Sequence, residues 1–164
     1  MTNSPKILAR SCRCRLCQVG CRTMPGVLSP RDLEHLPLAQ LAASSGTATR
    51  VQTGERIQVR TIVPAQRPDG TCVFHDRGTC TVHDHKPAGC AIPVACAEPT
   101  LQEALELTIV YQNVNLSTEY QAAWEQLAQR GQVARPIAER QAAYRTEFTK
   151  QERRYAKRSR TNRP

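Results

Sequence analysis

Eight cysteines in two groups, Cys12, Cys14, Cys17 and Cys21 near the N-terminus and Cys72, Cys80, Cys90 and Cys96 in mid-chain, constrain the fold of this chain more than any other feature. Aromatic residues make up only 4% of the 164, and many of the 40% that are hydrophobic are alanine. Large side chains with which to build a core are therefore few. Something besides apolar burial is expected to hold part of the chain together. The length fits one domain, without room for a second full core.

Whether the thiols form bridges or hold ligands depends on the compartment. The opening "MTNSPKILARSC" lacks the apolar run of a signal peptide, and no window approaches the roughly 18 apolar residues of a membrane span. The expectation is a soluble, cytoplasmic, reduced protein with no membrane partner. In that setting clustered cysteines read as metal ligands or reactive thiols before they read as disulfides. Cys14-x-x-Cys17 is shared with thioredoxin-like redox motifs, but those need a strand-to-helix junction inside a βαβ unit, and nothing before Cys14 reads as a strand.

A tetrahedral metal takes four thiolate or imidazole ligands, and a local pair such as Cys14 and Cys17 supplies two at little loop-closure cost. Cys12 and Cys21 are close enough in sequence to complete a site locally, or to share ligands with the second group. Eight thiols suit two tetrathiolate sites, or one cluster with spare thiols. The apparent binding energy of a structural zinc, about 10 to 16 kcal/mol, exceeds the stability of many small domains. The segment from residue 12 to residue 96 is therefore expected to depend on metal for its fold.

Local signals divide the rest of the chain. Ser29 as N-cap, Pro30 at the first helical position and Asp32 in the first turn mark a short helix that Pro37 interrupts and Leu38 to Ala43 resume. "ASSGTATR" reads as a small-residue loop, and the alternation of Ile57, Val59, Thr61 and Val63 as a half-buried strand. Asp69-Gly70 and Arg77-Gly78 are turns, each just ahead of a short β-prone run, Cys72 to Phe74 and Cys80 to Val82. Thr100 with Glu103 is a capping box opening a helix with Leu101, Ala104, Leu105, Thr108 and Ile109 on one face. A second helix starts at Ser117, packs through Tyr120, Trp124, Leu127 and Ala128, and stops at Gly131. A third opens at Pro136 and runs into the tail. The expected fold is a small α+β protein, an irregular metal-stabilised cysteine-rich module followed by C-terminal helices. Its expected parts are a disordered N-terminus over 1–11, the cysteine-rich domain with packed helices over 12–131, and a basic helical tail over 132–164.

The order of these features resembles the YkgJ-type "CxxCxxCC" family of zinc- or iron-chelating domains, which also occur in flagellin lysine N-methylases. The resemblance rests on "GVLSPRDLEHL", on "CVFHDRGTCTVHDHKPAGCA" and on Cys96 downstream, and covers roughly residues 12 to 98. It implies that all eight cysteines, Cys12, Cys14, Cys17, Cys21, Cys72, Cys80, Cys90 and Cys96, are metal ligands. Gly20 stands where the family carries the first cysteine of its adjacent pair, and the resemblance implies that Cys12 takes over as the eighth ligand. The tyrosine of the family's later motif is replaced by His83, and the arginine after its third cysteine by Ala91. All-thiolate ligation suits zinc and iron–sulfur clusters equally, so the expected cofactor is zinc or iron, a cluster included.

His75, His83 and His85 crowd the second group, as ligands, as hydrogen-bond donors to ligand sulfurs, or as ordinary loop residues. No complete catalytic constellation and no nucleotide-binding glycine motif is present. The formal charge of +9 is concentrated in the tail, where residues 150 to 164 hold seven of the 23 basic residues and one of the 14 acidic ones. That tail suits weak nucleic-acid binding through phosphates, or a solvated helix end. The sequence thus supports a metal-binding protein with a structural, sensing or metal-handling role. Alternatives are an iron–sulfur redox or accessory protein in a protein-modification pathway, and a metal-stabilised module with a nucleic-acid-binding tail. A protein partner fits the first two.

Overall fold

The structure, a computed structural model, describes residues 14–50, 52–92, 96–98 and 100–161, with residues 159–161 by backbone alone. Among the described residues it is a mixed α+β fold with five α-helices and two small antiparallel sheets. Strand β1 (Leu41–Thr49) pairs with β2 (Arg56–Pro64) in a register that sets Ala43 opposite Ile62. The second sheet is the two-residue hairpin of β3 (His75–Asp76) and β4 (Thr79–Cys80). Helices α1 (Val19–Thr23) and α2 (Ala88–Ala91) are single turns. Helices α3 (Leu101–Leu116), α4 (Thr118–Gln129) and α5 (Ile137–Thr161) follow.

Strand β1 is the main departure from the sequence expectation, since "ASSGTATR" is a strand and not a loop, and the helix does not resume beyond a 3-10 turn at Leu38–Gln40. Small residues there have weak β-propensity, but propensity yields to packing. Ala42, Ala43 and Ser44 are buried, where larger side chains would collide with the helix above. Trp124 Nε1 donates to the Ser44 carbonyl at 2.7 Å, and Arg60 stacks over the Trp124 ring at 4.6 Å.

Both sheet edges are covered where they are buried, as exposed ladder groups require. Ala43 N–H donates to the Gln132 carbonyl and Ala134 N–H to the Ala43 carbonyl, each at 2.8 Å. On β2, Leu28 N–H donates to the Ile62 carbonyl at 2.8 Å. Tyr120, fully buried, accepts the Ile62 N–H at 2.6 Å and donates its hydroxyl to the Leu28 carbonyl at 2.8 Å. The core around this tyrosine holds Leu28, Leu41, Ile62, Val114 and Leu127.

The caps follow the sequence. Ser29 and Asp32 form a capping box over the 3-10 turn Pro30–Glu34, and Thr100 with Glu103 does the same for α3. The Ser117 side chain accepts the Tyr120 N–H, and Gly131, at φ +73°, ends α4. The face of α3 differs from expectation: Leu101, Leu105 and Ile109 are 78%, 56% and 54% exposed, and Glu103, Val110 and Val114 are buried instead. Both sides of this helix are apolar, so its own periodicity does not choose the buried one; contact with β2 and α4 does.

Candidate metal centre

The N-terminal cysteines do not stay together. Cys14 and Cys17 precede α1, and the Cys17 N–H lies 3.5 Å from the Cys14 sulfur, the arrangement of a local chelate pair. Their third neighbour is Cys96: the Cys17 and Cys96 sulfurs are 3.6 Å apart. All three sulfurs lie within 4.8 Å of one another, a group that could hold a metal ion. A tetrahedral zinc with Zn–S of about 2.3 Å sets its sulfurs about 3.8 Å apart, so the Cys17–Cys96 separation fits one edge of such a site. Cys12 lies outside the described residues. Cys14, Cys21, Cys72, Cys80 and Cys90 are free thiols.

Cys21 sits on α1 and faces the other group. Its carbonyl accepts the Cys72 N–H at 2.7 Å. Cys80 enters through the hairpin, where Arg77 and Gly78 both have positive φ, +45° and +80°, as a two-residue turn of this hand requires. Register then sets Cys80 opposite His75, whose N–H donates to the Cys72 carbonyl at 3.0 Å.

Cys90 arrives by a backbone crossing. Gly89 N–H donates to the Val27 carbonyl at 2.8 Å, and Gly26 N–H donates to the Cys90 sulfur at 3.1 Å. A Cβ on Gly26 would lie 2.2 Å from the Gly89 carbonyl carbon, and one on Gly89 would lie 2.4 Å from the Val27 nitrogen. Only glycine lets the two segments approach this closely. Asp32 fixes the same crossing, its Oδ2 accepting the Ala88 N–H at 3.0 Å as well as both Ser29 donors. Gly26, Gly89 and this use of Asp32 were not singled out from the sequence. The Pro-Gly of "MPGV" and the Pro-Ala-Gly of "PAGC" mark turns, but which backbone each turn meets is a tertiary fact.

Burial and neighbouring thiols act on Cys21, Cys72 and Cys90 alike. Burial raises the thiol pKa of Cys21 first, and Cys80 raises it further, with Lys86 and Arg22 opposing. Burial pushes Cys72 up to about 12, with Cys21 and Cys80 adding to it. Cys90 is also raised, by burial first and then by Cys21, Cys72 and Cys80. Burial and neighbouring thiols thus favour the neutral form of Cys21, Cys72 and Cys90, whereas among the described residues it is Cys14, Cys17 and Cys96 whose sulfurs all lie within 4.8 Å of one another.

The histidines separate by place. His75 and His83 line the cavity shared with the thiols. The Nε2 of His75 is buried with no hydrogen-bond partner among the described residues, and burial lowers this imidazole's pKa. His85 is turned away and stacks on His35, with ring centroids 4.6 Å apart. Among the described residues no helix is long and apolar enough to cross a membrane.

No protein-family model, no curated protein and no solved structure matches this chain.

Proposed function

We propose that this chain is a metal-binding protein holding zinc or iron, an iron–sulfur cluster included, at two thiolate sites. Cys14, Cys17 and Cys96 belong to one, Cys21, Cys72, Cys80 and Cys90 form the other, and Cys12 is the eighth ligand that the sequence offers. The observation that carries this is the convergence of the Cys14, Cys17 and Cys96 sulfurs within 4.8 Å. Support for the second site comes from Cys21, Cys72 and Cys90, each raised by burial and by neighbouring thiols that include Cys80. The bound metal would supply cross-links that a core short of large side chains lacks, and the family resemblance to YkgJ-type chelating domains suits a structural, sensing or metal-handling role.

Anaerobic purification followed by elemental analysis, acid-labile sulfide assay and an absorption spectrum tests this. Two zinc ions per chain in a colourless protein, or iron with sulfide and visible absorption, are the expected results. A folded chain that keeps its thiols reduced and retains no stoichiometric metal would overturn it.

A further inference from the structure

A cavity of about 900 Å³ lies between α3, α5 and the cysteine-bearing segment. That volume is in the range of small-molecule sites, roughly 300 to 1,000 Å³. Six of the cysteines line one part of it, and Leu107, Ile137, Tyr144 and Phe148 supply apolar wall elsewhere. Two thiolate sites do not need such a space, so the cavity goes beyond the metal-binding proposal.

Arg140, on the first turns of α5, lines the cavity and is 3% exposed. Its Nε donates to the Arg135 carbonyl at 3.0 Å and its Nη2 to the Ser44 hydroxyl. Nη1 has no partner, and Arg140 forms no ion pair, among the described residues. Glu98, Glu103 and Glu152 line the same cavity but do not pair with it; Glu103 accepts the Thr100 N–H at 2.9 Å instead. Buried guanidinium groups are ordinarily paired; the unpartnered Nη1 is not fully enclosed, which leaves it open to a ligand. Burial accordingly lowers the Arg140 pKa, with Tyr111 opposing the shift. Tyr111, on α3, also lines the cavity, and its hydroxyl makes no hydrogen bond among the described residues. It is 43% exposed.

We propose that this cavity binds a small amphipathic carboxylate, with its head group on Arg140 and the Tyr111 hydroxyl and its apolar body along Leu107, Ile137, Tyr144 and Phe148. The clamp on Arg135 and Ser44 holds the guanidinium in place, so that its free edge is preorganised for a planar anion. The apolar wall selects a ligand with a hydrocarbon body over a bare ion.

Calorimetric titration of the protein as purified, with octanoate as the probe and octanol and inorganic phosphate as comparisons, tests the proposal. Octanoate is expected to bind, and to bind more tightly than either comparison compound. Arg140→Gln should weaken octanoate by roughly ten- to hundredfold and Tyr111→Phe by roughly three- to tenfold, leaving octanol unchanged in both. Tyr111→Phe keeps the ring, so it reports even if Arg140→Gln fails to fold. Octanoate binding no tighter than octanol or phosphate overturns the proposal, and so does wild-type octanoate affinity in either variant. Metal content measured on the same samples keeps the two proposals apart: octanoate binding to a protein that never holds metal overturns the metal sites alone.

Discussion

Cys17 and Cys96, 79 residues apart in the chain, bring their sulfurs to 3.6 Å. On the proposed reading the division of ligands would be crossed: the N-terminal group would give Cys14 and Cys17 to one site and Cys21 to the other, and the mid-chain group would give up Cys96. Crossed ligands would tie the two segments together as two sequence-local sites would not. If both sites fill, Cys17→Ser and Cys96→Ser each remove one ion per chain, and the double variant removes no more than either. Combining Cys17→Ser with Cys90→Ser removes two. Elemental analysis separates this from sequence-local sites, for which Cys21→Ser would join Cys17→Ser and Cys96→Ser would join Cys90→Ser.

Gly89 permits the backbone crossing beside Cys90. Its Cβ would meet the Val27 nitrogen at 2.4 Å, backbone that cannot give way locally, whereas a Cβ on Gly20 meets nothing within 4 Å. Gly89→Ala should cost about 2 to 4 kcal/mol and displace Cys90, lowering metal content by one ion. Gly20→Ala, within α1, should be neutral or stabilise by up to about 1 kcal/mol. Urea unfolding of both variants, with metal analysis, checks the contrast. Equal stability of the two would show that the Gly26–Gly89 crossing does not matter.

What could be seen in the sequence was what local chemistry decides. Ser29 with Asp32, Thr100 with Glu103, Ser117 and Gly131 act on groups a few residues away, and each is where its type and spacing put it. Ile57 to Val63 likewise declared a strand. Its partner did not, because Leu41–Thr49 is made of small residues that suit the space under Trp124 and Arg140 rather than any intrinsic strand preference. The buried side of α3 was equally hidden, since Leu105 and Val110 are alike in hydropathy and only the neighbours distinguish them. The candidate site shows the same split. Which residues carry thiols is plain from the sequence; that Cys21 turns toward Cys72, and Cys96 toward Cys17, depends on α1 and on the Gly26–Gly89 crossing.

The buried thiols give metal-free protein a distinctive pH response. Cys72 is raised by burial from its ordinary 9.0 to about 12, and Cys21 and Cys90 move the same way. An unfolded chain ionises these thiols near pH 9 while the folded one holds them neutral. Their contribution to stability is therefore complete below about pH 9 and is lost as pH climbs toward 12. Metal-loaded protein has the opposite sign, because protons compete with the ion for thiolate and acid strips the site. Urea unfolding of chelator-treated, reduced protein between about pH 7.5 and 10.5 should show a falling midpoint. A rising midpoint would mean that the thiols are not buried as a set.

Tyr120 holds the edge of β2 through a single oxygen. It accepts the Ile62 N–H at 2.6 Å and donates to the Leu28 carbonyl at 2.8 Å, in a core where the ring is wholly buried. Leu28 lies just after Gly26, and the Gly26 N–H reaches Cys90, so the same strut fixes one end of the crossing that carries Cys90. Tyr120→Phe preserves the ring and leaves the Ile62 N–H without its partner, at a cost of about 1 to 3 kcal/mol. Metal content should not change, because the Gly26–Gly89 contact and the Asp32–Ala88 bond remain. Chemical denaturation with parallel metal analysis reads both quantities. Loss of metal at unchanged stability would place Tyr120 in the site rather than in its support.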